Sequence, residues 1–443
     1  MDDDDRRRGR KAPMVAAAGF PDDPLVEIFS RVPFRSLCRF KRVSKAWRDL
    51  IDDPLHRCKL RQTLEGLFHE IKDSRRRDRG GNGEAGGDNL RRQGWVGFVD
   101  LLGRSSSPIV DPFFCFLRTK LPAGSESIRL MDICHGLLLL DIGGYRIESI
   151  PKYVVCNPAT KQWLLVPDFD WTPWPCNGMS VHLIFSPDVS SDFALVRFTN
   201  DVSPSVTSVQ TYSSKTGAWT NSESAWSLEE RQAPLEGWRY QKCRLVPESK
   251  STVIGGMLYL ICDSVGDGQV LEGDHIVVVD VEGKTRRFIP VPFQMNKENC
   301  SILSDFVGQS QGLLHYVNHE EPAYYTNNDG PDDELPDEDN DDVDCELSIW
   351  VLNGGGDTQE MALKHRVSFL HLFGEKSCQA GPDYTVVAIH PDRDMIIFSR
   401  DKKLMSYDMD TKEVCALHTV SDAFAFNSYV PYFSESPALT NKY

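Results

Sequence analysis

Between residues 20 and 51 the apolar positions recur at helical spacing, whereas beyond Gly94 they come in short β-branched and aromatic runs broken by Gly, Pro, Asn and Asp. In FPDDPLVEIFSRVP (20–33), Leu25, Ile28, Phe29 and Val32 fall at i, i+3, i+4 and i+7, which makes one apolar stripe of a helix. Asp23 is placed to cap it, and Pro24 suits the first turn, where a missing N–H breaks no intrahelical bond. The pattern predicts a second helix over 36–41, offering Leu37 and Phe40. A third is capped by Ser44, carries Trp47, Leu50 and Ile51 on one face, and stops at Asp53-Pro54. Three short helices in about forty residues bury little among themselves, so this module is expected to complete its apolar surface against a partner.

The later runs repeat as a unit. HGLLLLD with YVVCNPATKQWLLVP (135–141, 153–167) returns as GGMLYLICD with HIVVVDVEGKTRRFIPVP (255–263, 275–292). Weaker copies pair 193–198 with 209–220, 311–317 with 347–352, and 394–400 with 403–417. A period of roughly 50–60 residues holding several strands is the signature of propeller blades. Counting WVGFVDLL through FFCFLRT (95–119) as an opening blade gives about six. A β-sandwich also spaces its strands evenly and stays open as the alternative architecture. Asn157-Pro158 is read as strand reversal and Trp163 as packing between blades.

The expected organisation is a charged arm over 1–19, the helical module over 20–62, a linker over 63–93 centred on RGGNGEAGGDN, a strand-rich domain over 94–430, and a tail over 431–443. A net charge of −16 suggests a broadly acidic body, but residues 329–346 alone hold eleven carboxylates and no Lys or Arg. Most of the surplus is therefore local to an insertion, 327–346, expected to be disordered and solvated. That segment lacks the alternating ligands and fixed glycine of a calcium loop. The 12 cysteines are scattered singly, with no CxxC pair and no zinc-finger spacing. MDDDDRRRGRK lacks the apolar core of a secretory signal, and no apolar run approaches the ~18 residues that span a bilayer. The cytosol or nucleus is the expected compartment, with no membrane contact.

RFKRVSKAWRDLI (39–51) sets Arg39, Lys41, Arg42, Lys45 and Arg48 around Trp47. A nucleic-acid helix would keep one uninterrupted basic face, but Asp22, Asp23, Glu27, Asp49, Asp52 and Asp53 break the field. These cations are read as a solvated face that can steer an acidic protein. For chemistry, His315 and His319 share a strand face without a third ligand, and no GxSxG, phosphate loop or HExxH occurs. No metal, cofactor or catalytic residue is assigned.

Residues 20–62 resemble an F-box in Pro21, the acidic pair after it, Ile28-Phe29, Val32 in place of the usual Leu, Leu37, Val43-Ser44-Lys45, Trp47 and Leu50. Phe20 replaces a common Leu, and Pro24 stands where a Leu is usual, with Leu25 one position on. The remainder is similar to the F-box-associated, partly kelch-like region of plant F-box proteins in LRQTLEGLFHE (60–70), MDICHGLLLL (131–140) and YVVCNPATKQWLLVP. The resemblance implies a small all-α F-box followed by a large all-β propeller of about six blades. It implies docking on a Skp-type adaptor and through it a cullin, with Pro21, Leu25, Ile28, Phe29, Val32, Leu37 and Val43 in the contact. Trp47 and Leu50 would hold the third helix and touch the adaptor as well. The implied role is that of a non-catalytic substrate receptor of an SCF-type ubiquitin ligase, with an unknown target. A propeller hydrolase with a helical accessory, and an adaptor-bound regulator outside a ligase, are the other readings.

Overall fold

A computed structural model describes residues 22–32, 34–53, 56, 60, 63–72, 94–101, 110–121, 128–143, 151–169, 178–200, 206–222, 243–245, 250–264, 273–292, 306–320, 345–354, 360–374, 384–420 and 423–440. The chain divides into two compact units, Met1–Thr63 and Leu64–Tyr443. The expected arm 1–19, Pro21, the glycine-rich stretch and most of the acidic insertion lie outside the described residues.

The first unit holds three helices, α1 (Asp22–Ser30), α2 (Phe34–Phe40) and α3 (Lys45–Asp52). Asp22 and Asp23 both occupy the first turn of α1, where carboxylates complement the helix dipole. Ser44 caps α3 as expected, its Oγ accepting the Trp47 N–H at 3.1 Å. The buried side of α1 differs from the expected stripe. Leu25, Val26 and Phe29 are inside, Val32 is half-buried, and Ile28 faces out. The cause is aromatic: Phe29 packs on Trp47 at 5.2 Å and on Phe40 at 5.6 Å, and Phe40 on Trp47 at 5.3 Å. Turning Phe29 toward those rings carries Val26 in and Ile28 out.

The second unit is a six-bladed β-propeller. Four blades are four-stranded meanders: Arg129–Cys134 to Gln162–Leu165, Gly178–Phe185 to Ala218–Ser222, Phe306–Ser310 to Glu360–Ser368, and Tyr384–Ile389 to Glu413–Thr419. These are blades one, two, four and five. In blade three, Cys243–Leu245 and Thr252–Ile254 both pair with Met257–Ser264, which continues into Gly273–Val279 and Thr285–Pro290. The sixth blade closes the ring from both ends of the unit: Gly66–Lys72 lies between Gly94–Asp100 and Ala423–Tyr429.

This closure corrects several expectations. The segment Gly66–Lys72, expected to open a linker, is a strand with Leu67 and Phe68 fully buried. The strand Gly94–Asp100 belongs to the closing blade, and Cys115–Arg118 is one helical turn rather than a strand of an opening blade. That turn is nucleated by Asp111, whose carboxylate accepts the Phe113 and Cys115 N–H groups at 3.0 and 2.8 Å. Glu346 starts a strand rather than ending the insertion. The expected tail is packed, with Ser436 and Leu439 buried.

Leu137–Asp141 and Tyr153–Asn157 are buried at every position, because neighbouring blades cover both faces of each inner sheet. That is why the repeats read as continuous apolar runs instead of alternating ones. The turns from first to second and third to fourth strand fall at one end of each meander. These ends interlock: Gln311 N–H donates to Pro391 O at 2.7 Å, and His135 Nδ1 lies 2.7 Å from Phe185 O.

Candidate functional site

The helical unit sorts the expected contact residues into two sets. Leu25, Phe29, Leu37 and Leu50 are buried among themselves with Val26, Ile51 and Leu60, and Val32 and Trp47 pack half-buried against them. Six of the expected contact residues thus also form the unit's own core, wholly or in part. A residue already covered by its own unit holds the helices together and sets what its neighbours present. Ile28 and Val43 are 54% and 64% exposed. Val26, missed in the sequence, shows its role only once the aromatic packing fixes the rotation of α1.

Charged side chains are also exposed on this unit. Arg39, Arg42, Lys45 and Arg48 are exposed, while Lys41 is half-buried and its carbonyl accepts the Arg48 Nε–H at 3.2 Å. Arg31 and Glu27 pair on the outer side of α1 at 2.7 Å, a contact of an exposed i,i+4 pair. The unit thus carries two exposed apolar side chains together with exposed basic residues of 39–48 and exposed carboxylates at Asp23, Glu27 and Asp49.

One set of polar residues is drawn together from blades one, two, three and six. Asp132 lies where the first strands of blades one and two meet. Its two oxygens accept the Ile133 and Leu183 N–H groups, each at 2.8 Å. Burial pushes its carboxyl up to about 6, against the lowering effect of those hydrogen bonds and of the Lys250 charge. His182 Nδ1 lies 3.1 Å from Ser251 Oγ, and burial brings its imidazole down to about 4. Lys250 reaches Asn427 at 2.8 Å. No sequence signal marked this set, because its members come from first strands far apart in the chain. Asp132 is committed to backbone amides, whereas glycoside hydrolysis uses two carboxylates free to face the scissile bond.

His315 is fully buried. Its Nδ1 is 3.1 Å from Leu313 O, and its Nε2 is 3.0 Å from Lys364 Nζ, which also pairs with Asp394 at 2.7 Å. The histidine is thus a junction between blades four and five. Among the described residues no group of three His, Cys, Asp or Glu is arranged to hold a metal, and no helix is long and apolar enough to cross a membrane.

Comparison with known proteins follows this division. Residues 19–59 match the F-box domain, and residues 111–326 match the β-propeller of the F-box protein At3g26010-like family. Among curated relatives, F-box protein At1g30790 of Arabidopsis thaliana is 28% identical over 33% of this chain and 33% of its own length. F-box protein At1g49990 of the same plant is 28% identical over 44% of this chain and 48% of its own. The match thus spans a third to a half of those two relatives. F-box protein At5g49610, also from Arabidopsis thaliana, is 21% identical over 93% of this chain and 97% of its own. With its capped three-helix unit and its six blades, the chain is an F-box protein in which the F-box domain is followed by an At3g26010-like β-propeller.

Proposed function

We propose that the chain is a substrate receptor of an SCF-type ubiquitin ligase. Its F-box docks a Skp-type adaptor and through it a cullin, and its propeller holds a target protein. The chain performs no bond chemistry. It raises the local concentration of a target lysine near a ubiquitin-loaded enzyme carried elsewhere in the assembly. Work in the cytoplasm or nucleus fits this role.

The observation that carries the reading is the exposure of Ile28 and Val43 on a unit that buries Leu25, Val26, Phe29 and Leu37 so fully. In this reading the two exposed residues anchor in adaptor recesses, Val32 and Trp47 line the edge, and the buried set preorganises the face. The basic residues 39–48 steer the acidic partner and affect association rate more than residence time.

The test is capture of adaptor and cullin by wild-type protein and by Ile28→Asp and Val43→Asp variants. Each substitution replaces an exposed side chain, so helical circular dichroism stays unchanged while adaptor capture falls at least about tenfold, as for a central interface residue. Unchanged capture by both variants overturns the docking face. Adaptor retained without cullin favours a regulator outside a ligase.

A further inference from the structure

The short-turn end of the propeller holds an extended peptide that belongs to the chain itself. Beyond the closing strand, residues 430–440 form no strand pairing and run across the turns of blades one and two. Side-chain amides read its backbone. Asn157, fully buried, donates through Nδ2 to Tyr432 O at 2.7 Å and to Ser434 O at 3.5 Å, while its Oδ1 accepts the Ala159 N–H at 3.0 Å. Gln162 Oε1 accepts the Ser436 N–H at 2.9 Å, and its Nε2 donates to Ser436 O at 3.5 Å.

Two side chains anchor the segment. The Tyr432 ring meets Phe185 edge-on at 5.3 Å. Leu439, 2% exposed, enters the apolar cluster shared by blades one to three. Gly136, at φ +86°, lets the backbone lie against its turn, since a Cβ there would fall 2.6 Å from Tyr432 N. Ser436 is 1% exposed, with its hydroxyl donating to Ser191 O at 3.4 Å.

Hydrogen bonds to the backbone of an extended segment, with seats for spaced side chains, are how extended peptides are recognised. Unlike Ala423–Tyr429 immediately before it, this segment joins no strand ladder and is held through side chains of blades one and two. We propose that this groove is a peptide-binding site, held in cis by residues 430–440. It is open to an extended peptide of the same pattern presented by another protein: an aromatic residue, a small hydroxyl residue four positions on, and a leucine seven on.

Occupancy in cis reduces apparent affinity for such a peptide by the fraction of chains that are closed. Ser436 is the lever. A carboxylate in its buried place is stripped of water and expels the segment, whereas the released strap is fully solvated. The inference stands on the propeller alone and is tested without adaptor, so its outcome is separate from that of the docking face.

The test uses the full chain and a fluorescent peptide spanning residues 430–440, read by anisotropy. The Ser436→Asp variant binds at least about tenfold more tightly than wild type. Binding is lost when the peptide carries alanine in place of its tyrosine and leucine, and when Gln162→Ala is added to the protein. Equal affinity for both proteins, or no binding to a variant with unchanged circular dichroism, overturns the proposal. Hydrogen exchange on the wild type decides the matter independently of any variant. The Ser436 amide exchanges through local opening, faster than amides of Leu137–Asp141; exchange only on global unfolding overturns the proposal.

Discussion

Lys250 and Asn427 are hydrogen-bonded at 2.8 Å although they belong to blades three and six, which face each other across the ring. Two blades lie between them on either side, so the lysine side chain crosses the central channel. It ties the middle of the unit to the closing strand Ala423–Tyr429 and places a cation near Asp132.

Replacing Lys250 by Met keeps the length and removes the charge. A hydrogen bond to a charged group contributes about 1.5–3 kcal/mol, so the urea midpoint falls while the slope of the transition is unchanged. The Asp132 carboxyl, already raised to about 6, rises further because the Lys250 charge is now one of the influences lowering it. Urea unfolding at pH 7 and carbon NMR titration of the carboxyl check the two halves separately.

Acid weakens the propeller through its histidines. His182 and His390 are each held down to about 4, by burial first, with the Arg393 charge adding at His390. His315 and His365 are lowered as well, again chiefly by burial. Each folded value lies below the 6.5 of a free imidazole, so the unfolded chain takes up more protons as pH drops. Stability from these residues is complete above about pH 6.5 and is lost as pH falls, toward about 4 for His182 and His390. Asp132 runs the other way. Its folded carboxyl binds a proton between about 6 and 3.8 that the unfolded one does not, which offsets one histidine. The urea midpoint therefore declines from pH 7 to pH 5. His315→Gln flattens that decline, because a second cation no longer forms 3.0 Å from Lys364.

What the sequence disclosed follows the range of the interactions involved. Ser44 capping Trp47, and Leu25, Phe29 and Leu37 as apolar turns of helix, depend on neighbours three or four residues away, and so they were legible. Leu137–Asp141 was legible too, since burial on both faces leaves a run with no polar break. The outward turn of Ile28 was not, because it is set by where Phe40 and Trp47 lie relative to Phe29. Gly66–Lys72 reads locally as the edge of a linker. Its partner Ala423–Tyr429 comes from the far end of the chain, and no local period reports such a pairing. The same holds for Asn157 reading the Tyr432 backbone, and for the channel residues.

The aromatic triad makes the helical unit separable from the propeller in its unfolding. Phe29 is 1% exposed and touches both other rings. Phe29→Ala removes about 3–5 kcal/mol, comparable to the whole stability of a module this small. Calorimetry of the variant shows the helical transition lost and the propeller transition in place. A single shifted transition contradicts independent cores.

Ring closure depends on bare backbone beneath aromatic rings. Gly66 sits under Phe98, and a Cβ there would lie 2.3 Å from Val99 O and 2.4 Å from the Phe98 ring; Gly97 sits likewise under His69, at 2.5 Å. Both contacts are in the blade that joins Gly66–Lys72 to Gly94–Asp100, so added volume acts where the ring is shut. Overpacking of this kind destabilises by about 1–3 kcal/mol. The strand backbone at Gly66 has no room to move away, since it pairs on both sides, with Asp100 and with Tyr429. Gly66→Ala therefore lowers the unfolding midpoint of the propeller. It also speeds hydrogen exchange in Ala423–Tyr429 more than in Leu137–Asp141. Equal acceleration in both strands would mean that the closing blade has no separate opening, and that the ring gives way as one body.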